Sequence, residues 1–244
     1  MERLHRLVGI GLAAAAIGRA SPAPAQDLSA VEASLQSVLD SVVASGSTPG
    51  ITMRIDAPAL GLSWSGASGV ADIETGTPLS PGNPVRIASN TKTFVAASTL
   101  RLWEDGRLGL DDPVSKHLPA AYIEMLEADG YDLEAMTVRH LLTHTSGVYD
   151  YADRERYVEA ILADPTHRWT PEEQVALAME WGNPYGPPGE IYRYSDTGYV
   201  LLAQIVESVN GRPLAASMRE LLALDSLGLR STWMETLEDP PPGA

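Results

Sequence analysis

Val85-Arg86-Ile87-Ala88-Ser89-Asn90-Thr91-Lys92-Thr93-Phe94-Val95-Ala96-Ala97 passes from an extended stretch into a helical one. Ser89 and Lys92 stand three residues apart on the first turn of that helix, a spacing that stacks their side chains on one face. Serine is a weak nucleophile until a neighbouring base takes its proton. Lysine, unlike arginine, can serve when it is partly desolvated and neutral. The chain writes fifteen of its seventeen Lys and Arg residues as Arg, so Lys92 is not a routine cation. The helix N-terminus beside it disfavours a second positive charge, so Lys92 is expected to carry a lowered pKa. These residues predict Ser89 as nucleophile and Lys92 as its proton acceptor. The other lysine, Lys116, reads as a solvated loop charge.

The first residues read as a leader. Arg3 and Arg6 form a basic start, Leu7 to Ile17 an apolar run, and Ala23-Pro24-Ala25 a small-x-small cleavage site. The run is too short for a membrane span. Cleavage near Ala25 predicts a periplasmic or secreted protein. Residues 1–25 hold three Arg and one Glu, so their removal takes the net charge from −15 to −17 and leaves 219 residues. Such an acidic chain excludes nucleic acid as a partner and points to a small-molecule or peptide substrate. The absence of cysteine excludes disulfides and thiolate chemistry.

Apolar residues at 28, 31, 35, 38, 39, 42 and 43 predict a helix from Leu28 to Val43 with Asp27 placed to cap it. Ile51–Ile55 and Leu60–Trp64 read as paired strands around the Ala57-Pro58 turn. The Ser89 helix should run to Glu104, where Asp105-Gly106 stops it. Further helices are expected at Val138–Leu142, Pro171–Met179, Tyr199–Val209 and Pro213–Leu224. A loop through Pro187-Pro188-Gly189 leads to Tyr192-Arg193-Tyr194-Ser195-Asp196, where a phenol can relay a proton and Ser195 or Asp196 can cap the next helix. His140 and His144 have the i, i+4 spacing of a zinc-binding helix but lack the usual intervening Glu.

Several segments, in order, carry a family resemblance. They are Gly69-Val70-Ala71-Asp72 with Thr77-Pro78-Leu79; Ile87-Ala88-Ser89-Asn90-Thr91-Lys92-Thr93-Phe94; and Glu104-Asp105-Gly106-Arg107-Leu108-Gly109-Leu110-Asp111-Asp112-Pro113-Val114. Thr137-Val138-Arg139-His140-Leu141-Leu142-Thr143-His144-Thr145-Ser146-Gly147 follows, then Pro188-Gly189 with Tyr194-Ser195-Asp196, and Leu227-Gly228-Leu229 before Ser231-Thr232. Over residues 28–235 the chain resembles the serine beta-lactamase and penicillin-binding-protein-like superfamily, in its class C beta-lactamase and D-alanyl-D-alanine carboxypeptidase branch.

The resemblance implies an α+β, transpeptidase-like fold. Residues 26–244 would form a partial domain, with a sheet edge over 27–90 and a mostly helical lobe over 91–235. It implies acylation of Ser89, with Lys92 as base and Tyr194 as the Tyr of a Y-x-N motif passing the proton to the leaving group. Asp196 occupies the position of that motif's Asn at the substrate. A carboxylate there would raise the Lys92 pKa and offer the substrate no amide donor. The backbone N–H of Ser89 would be one oxyanion donor.

No cofactor is implied. The family's third motif, Lys or His followed by Thr or Ser and Gly, has no counterpart after Tyr194, since no Lys follows 116 and no His follows 167. The C-terminal strands are expected to be missing too, which predicts a fragment that is poorly active by itself. Three readings of function are open to this sequence. They are an exported serine hydrolase acting on a beta-lactam, a D-alanyl peptide or a small ester; a catalytically inactive penicillin-recognising or partner-binding homologue; and a zinc hydrolase.

Overall fold

A computed structural model describes residues 27–152 and 155–241; the leader reading falls on residues outside these. The chain divides into two compact units, one ending at Asn83 and the other beginning at Pro84.

The first unit holds helix α1 (Ser29–Ala44) and strands β1 (Gly50–Ala57) and β2 (Leu62–Gly69). Asp27 Oδ1 accepts the Ser29 N–H at 3.0 Å, so the acid serves the helix start, although Leu28 takes the N-cap position. The strands pair antiparallel with Ile55 opposite Trp64. The second strand begins at Leu62 rather than Leu60, because Pro58–Leu60 wind into a 3-10 turn that Gly61 closes in the left-handed region, φ 68°. The Gly69–Asp72 and Thr77–Leu79 segments form a tight loop, with Ala71 N–H donating to Thr77 O and Leu79 N–H to Gly69 O. Gly69 has φ 85°, and a Cβ there would lie 2.1 Å from the Pro49 carbonyl oxygen, so only glycine fits.

The second unit is helical: α2 (Thr91–Glu104), α3 (Ala120–Ala128), α4 (Val138–Leu142), α5 (Glu155–Ala163), α6 (Pro171–Trp181), α7 (Asp196–Asn210) and α8 (Leu214–Leu221). The expected helices are present, and α3 and α5 are additions. Helix α7 begins three residues earlier than the apolar periodicity indicated, because Ser195 Oγ accepts the Gly198 N–H and caps it. Its Leu201, Leu202, Ile205 and Val206 are fully buried. Helices α2, α4, α6 and α8 all pack against it, which explains burial on nearly every side.

Two of the quoted segments also meet. Val114 N–H donates to Met136 O, Val138 N–H to Asp112 O and Arg139 N–H to Leu110 O, while the Arg139 guanidinium grips Asp111 with two hydrogen bonds. This seam carries α4 into its place against α7. At the other end of α7, Arg107 donates to the Asn210 side chain and to the Val209 carbonyl, an acceptor that the helix terminus leaves open.

Leu201 sits in a fully packed site. Leu201→Ala is expected to destabilise the helical unit by about 2–5 kcal/mol. Chemical denaturation followed by circular dichroism measures it; a loss below about 1 kcal/mol contradicts this core assignment.

Candidate active site

Residues 88–90 form a 3-10 turn before α2, so Ser89 precedes the α-helix rather than lying in its first turn. Ala88 has φ 45°, the left-handed region that non-glycine residues seldom occupy. Strain of this kind costs of order 1–3 kcal/mol and concentrates at functional sites. It sits here immediately before an exposed serine. As the second residue of the turn, Ser89 has a backbone N–H without an acceptor inside the helix.

The i, i+3 relation between Ser89 and Lys92 survives the change of helix type. Lys92 Nζ donates to Ser89 Oγ at 3.2 Å. From 105 residues away the Tyr194 hydroxyl donates to the same oxygen at 3.0 Å. Asp196, on the first turn of α7, pairs with Lys92 Nζ through Oδ1. The Lys92 ammonium also lies 4.9 Å from the Tyr194 ring centroid and 5.7 Å from that of Tyr199. Thus Ser89, Lys92, Tyr194 and Asp196 come together in one cluster.

Protonation of Lys92 follows the rise expected from a carboxylate at 196 and overturns the fall expected from the helix terminus. Burial of Lys92 disfavours its charge, but the hydrogen bonds with Asp196 and Tyr194 and the charge of Asp196 outweigh burial. The pKa ends above the ordinary lysine value, so the expectation of an amine lowered by the helix terminus is corrected. The terminus acts through partial charges that fade within a turn, whereas Asp196 is a full charge in direct contact with the amine.

The loop after α4 supports this cluster. Gly189 N–H donates to Thr145 O, Tyr185 N–H to Gly147 O and Arg193 N–H to His144 O. Gly147 has φ 77°, and a Cβ there would fall 2.1 Å from the Gly186 carbonyl oxygen. Asp150 is 4% exposed, and its Oδ1 accepts the Asp196 N–H at 3.0 Å and the Ala152 N–H at 3.3 Å. Burial, and then the charge of Asp196, push its pKa up. Nothing in the spacing around Asp150 signalled this role, because the N–H it satisfies lies 46 residues away.

The His140/His144 pair, considered for zinc, serves the backbone instead. His140 Nδ1 accepts the Thr137 N–H in a capping box, and His144 Nδ1 accepts the Ser195 N–H.

A cavity of about 720 Å³ opens beside the cluster, with Ser89, Lys92, Asp196 and Tyr199 in its wall and Tyr151 and Met234 among the other lining residues. That volume suits a small molecule.

Comparison with known proteins shows the family and the fold. The beta-lactamase family model matches residues 35–244. The chain is 32% identical over 170 residues to penicillin-binding protein 4* of Bacillus subtilis, covering 67% of this chain and 33% of that protein. It is 34% identical over 175 residues to esterase EstB of Burkholderia gladioli, covering 67% of this chain and 42% of that one. The crystal structure of D-amino acid amidase from Ochrobactrum anthropi, complexed with L-phenylalanine amide, superposes with a TM-score of 0.70 at 29% identity. That match covers 87% of this chain and 56% of the amidase. The chain thus spans about a third of the length of the first of these curated relatives.

The ion pair makes a direct prediction. Replacing the carboxylate by an amide in Asp196→Asn removes the charge that holds the Lys92 proton, so the Lys92 pKa should fall. NMR titration of the lysine side chains reads this readily, since Lys116 is the one other lysine and Lys116→Arg assigns it. An unchanged or higher Lys92 pKa in Asp196→Asn rules out the pairing.

Proposed function

This chain belongs to the beta-lactamase family of serine hydrolases, with that family's α+β transpeptidase-like fold, and from that premise we propose that it hydrolyses small acyl substrates through an acyl-enzyme on Ser89. One observation supports this reading above the others. Two proton-carrying groups, Lys92 and Tyr194, converge on one exposed hydroxyl from distant parts of the chain.

In the proposed reaction neutral Lys92 takes the proton of Ser89 Oγ as that oxygen bonds to the substrate carbonyl carbon. The carbonyl π pair moves onto oxygen, which the Ser89 backbone N–H stabilises. As the bond to the leaving group breaks, Tyr194 gives that group its proton and is reprotonated from Lys92. Water then attacks the acyl carbon in the same manner and releases Ser89.

Asp196 shapes both rate and selectivity. It supplies no N–H to a substrate carbonyl, where the asparagine of the family's Y-x-N motif has an amide donor. Substrates that depend on that donor, such as beta-lactams and D-alanyl peptides, are disfavoured relative to small esters. Among the relatives, the name of esterase EstB runs in the same direction, whereas those of the D-amino acid amidase and penicillin-binding protein 4* do not. Because Lys92 must be neutral to act, its raised pKa means that acylation strengthens as pH rises. Asp196→Asn should move that rise to lower pH and increase turnover near neutrality, read from the pH dependence of kcat/KM on a p-nitrophenyl ester. A rise that stays in place or moves to higher pH refutes the assignment of Lys92 as base.

The same ion pair favours a second reading, a homologue that binds acyl ligands without turning them over, since a lysine that keeps its proton is a poor base. Labelling with a fluorescent fluorophosphonate or penicillin separates the two. Covalent labelling is expected in the parent protein and background levels in Ser89→Ala. Equal signal in both, or none in either, favours the binding reading. We further propose export to the periplasm or medium after cleavage near Ala25. A mature N-terminus at Gln26 in the extracytoplasmic fraction supports this proposal, and a chain with intact Met1 retained in the cytoplasm opposes it.

A further inference from the structure

We propose that His144 is a positioning residue that holds the Tyr194 hydroxyl against Ser89; the inference rests on the catalytic reading of Tyr194 given above. Tyr194 itself is poorly anchored. It lies in the segment that precedes α7, is 41% exposed, and directs its hydroxyl to Ser89. An exposed tyrosine in such a segment has staggered alternatives within easy reach, and each would carry its hydroxyl away from the serine.

His144 removes that freedom in three ways. Its carbonyl accepts the Arg193 N–H at 2.8 Å, and its Nδ1 accepts the Ser195 N–H at 3.2 Å. The residues on either side of Tyr194 are therefore tied to one histidine. Its ring stacks on the Tyr194 ring, with centroids 4.5 Å apart and planes inclined by 27°. Backbone and side chain of Tyr194 are thus set by the same partner.

His144 is in turn held firmly. Its φ of 58° lies in the left-handed region, which a histidine keeps only when its surroundings impose it. The ring of Tyr199 closes on its ring at 4.9 Å, and the Tyr199 hydroxyl is anchored on the Leu142 carbonyl at 3.1 Å. Accepting a hydrogen bond at Nδ1 requires the neutral ring, protonated at Nε2. Burial and the nearby charge of Lys92 lower the His144 pKa and so favour that form.

The test is a mutant cycle that joins His144 to Tyr194. His144→Ala removes ring and acceptor; His144→Asn returns an acceptor and tolerates the left-handed backbone but lacks the ring. Each is combined with Tyr194→Phe, and kcat and KM are measured on a p-nitrophenyl ester, with thermal melting to monitor folding. His144→Ala should lower kcat by about 10- to 100-fold, with KM held within about two-fold. His144→Asn should recover part of the loss. In the Tyr194→Phe background His144→Ala should cost less than about two-fold more, since its effect passes through the phenol. Full additivity in that background, or a loss confined to KM, overturns the proposal. A Tyr194→Phe enzyme with parental kcat overturns the catalytic reading itself and this inference with it. Should His144→Ala fail to fold, His144→Asn decides, and parental kcat in it refutes the role of the stack.

Discussion

Helix α2 packed against α7 is the contact on which the site depends. Ser89 and Lys92 lie at the entry to α2, and Tyr194 and Asp196 at the entry to α7. Bringing the two helix starts together joins residues 104 and 105 positions apart. The driving force is burial. Leu102 of α2 and Leu201, Leu202 and Ile205 of α7 are fully shielded from solvent, which is worth about 1.5–3 kcal/mol for each such side chain. That apolar contact secures the geometry of the polar groups, of which Ser89 and Tyr194 are exposed and Lys92 and Asp196 half-buried.

On this scaffold, electrostatics works against readiness. A lysine meant to accept a proton gains from burial, and the burial of Lys92 does push its pKa down. The Asp196 carboxylate reverses the outcome at close range. The same residue begins α7 with its backbone N–H donated to Asp150, a buried acid, so the main chain that carries the carboxylate is held in place. A substitution at Asp196 therefore reaches the lysine beside Ser89 and the start of α7 together.

Much of the site was legible because it is local. The Ser89/Lys92 relation depends on helical pitch alone and holds even though the serine lies in a 3-10 turn. Ser195 as a cap follows from its chemistry and position. Other features had no sequence signal. Helices α3 and α5 went unnamed, and β2 begins two residues late because a 3-10 turn consumed its expected start. His144 suggested a metal by spacing, yet its Nδ1 faces a backbone N–H 51 residues away. Of the two opposed expectations for Lys92, the lowering by the helix terminus failed and the raising by a carboxylate at 196 held, because a full charge in contact outweighs a terminus of partial charges.

Periodicity, capping chemistry and short-range spacing are written in consecutive residues, so the sequence alone determined that helices form here and that Ser89 and Lys92 face one another. Folding made the long-range pairings of Tyr194 with the serine and Asp196 with the lysine, which only the family resemblance had implied, and decided what the histidine grips. Those relations span about a hundred residues, or about fifty for the histidine. They depend on how buried helices pack, and a change of an ångström or two in that packing would remake them.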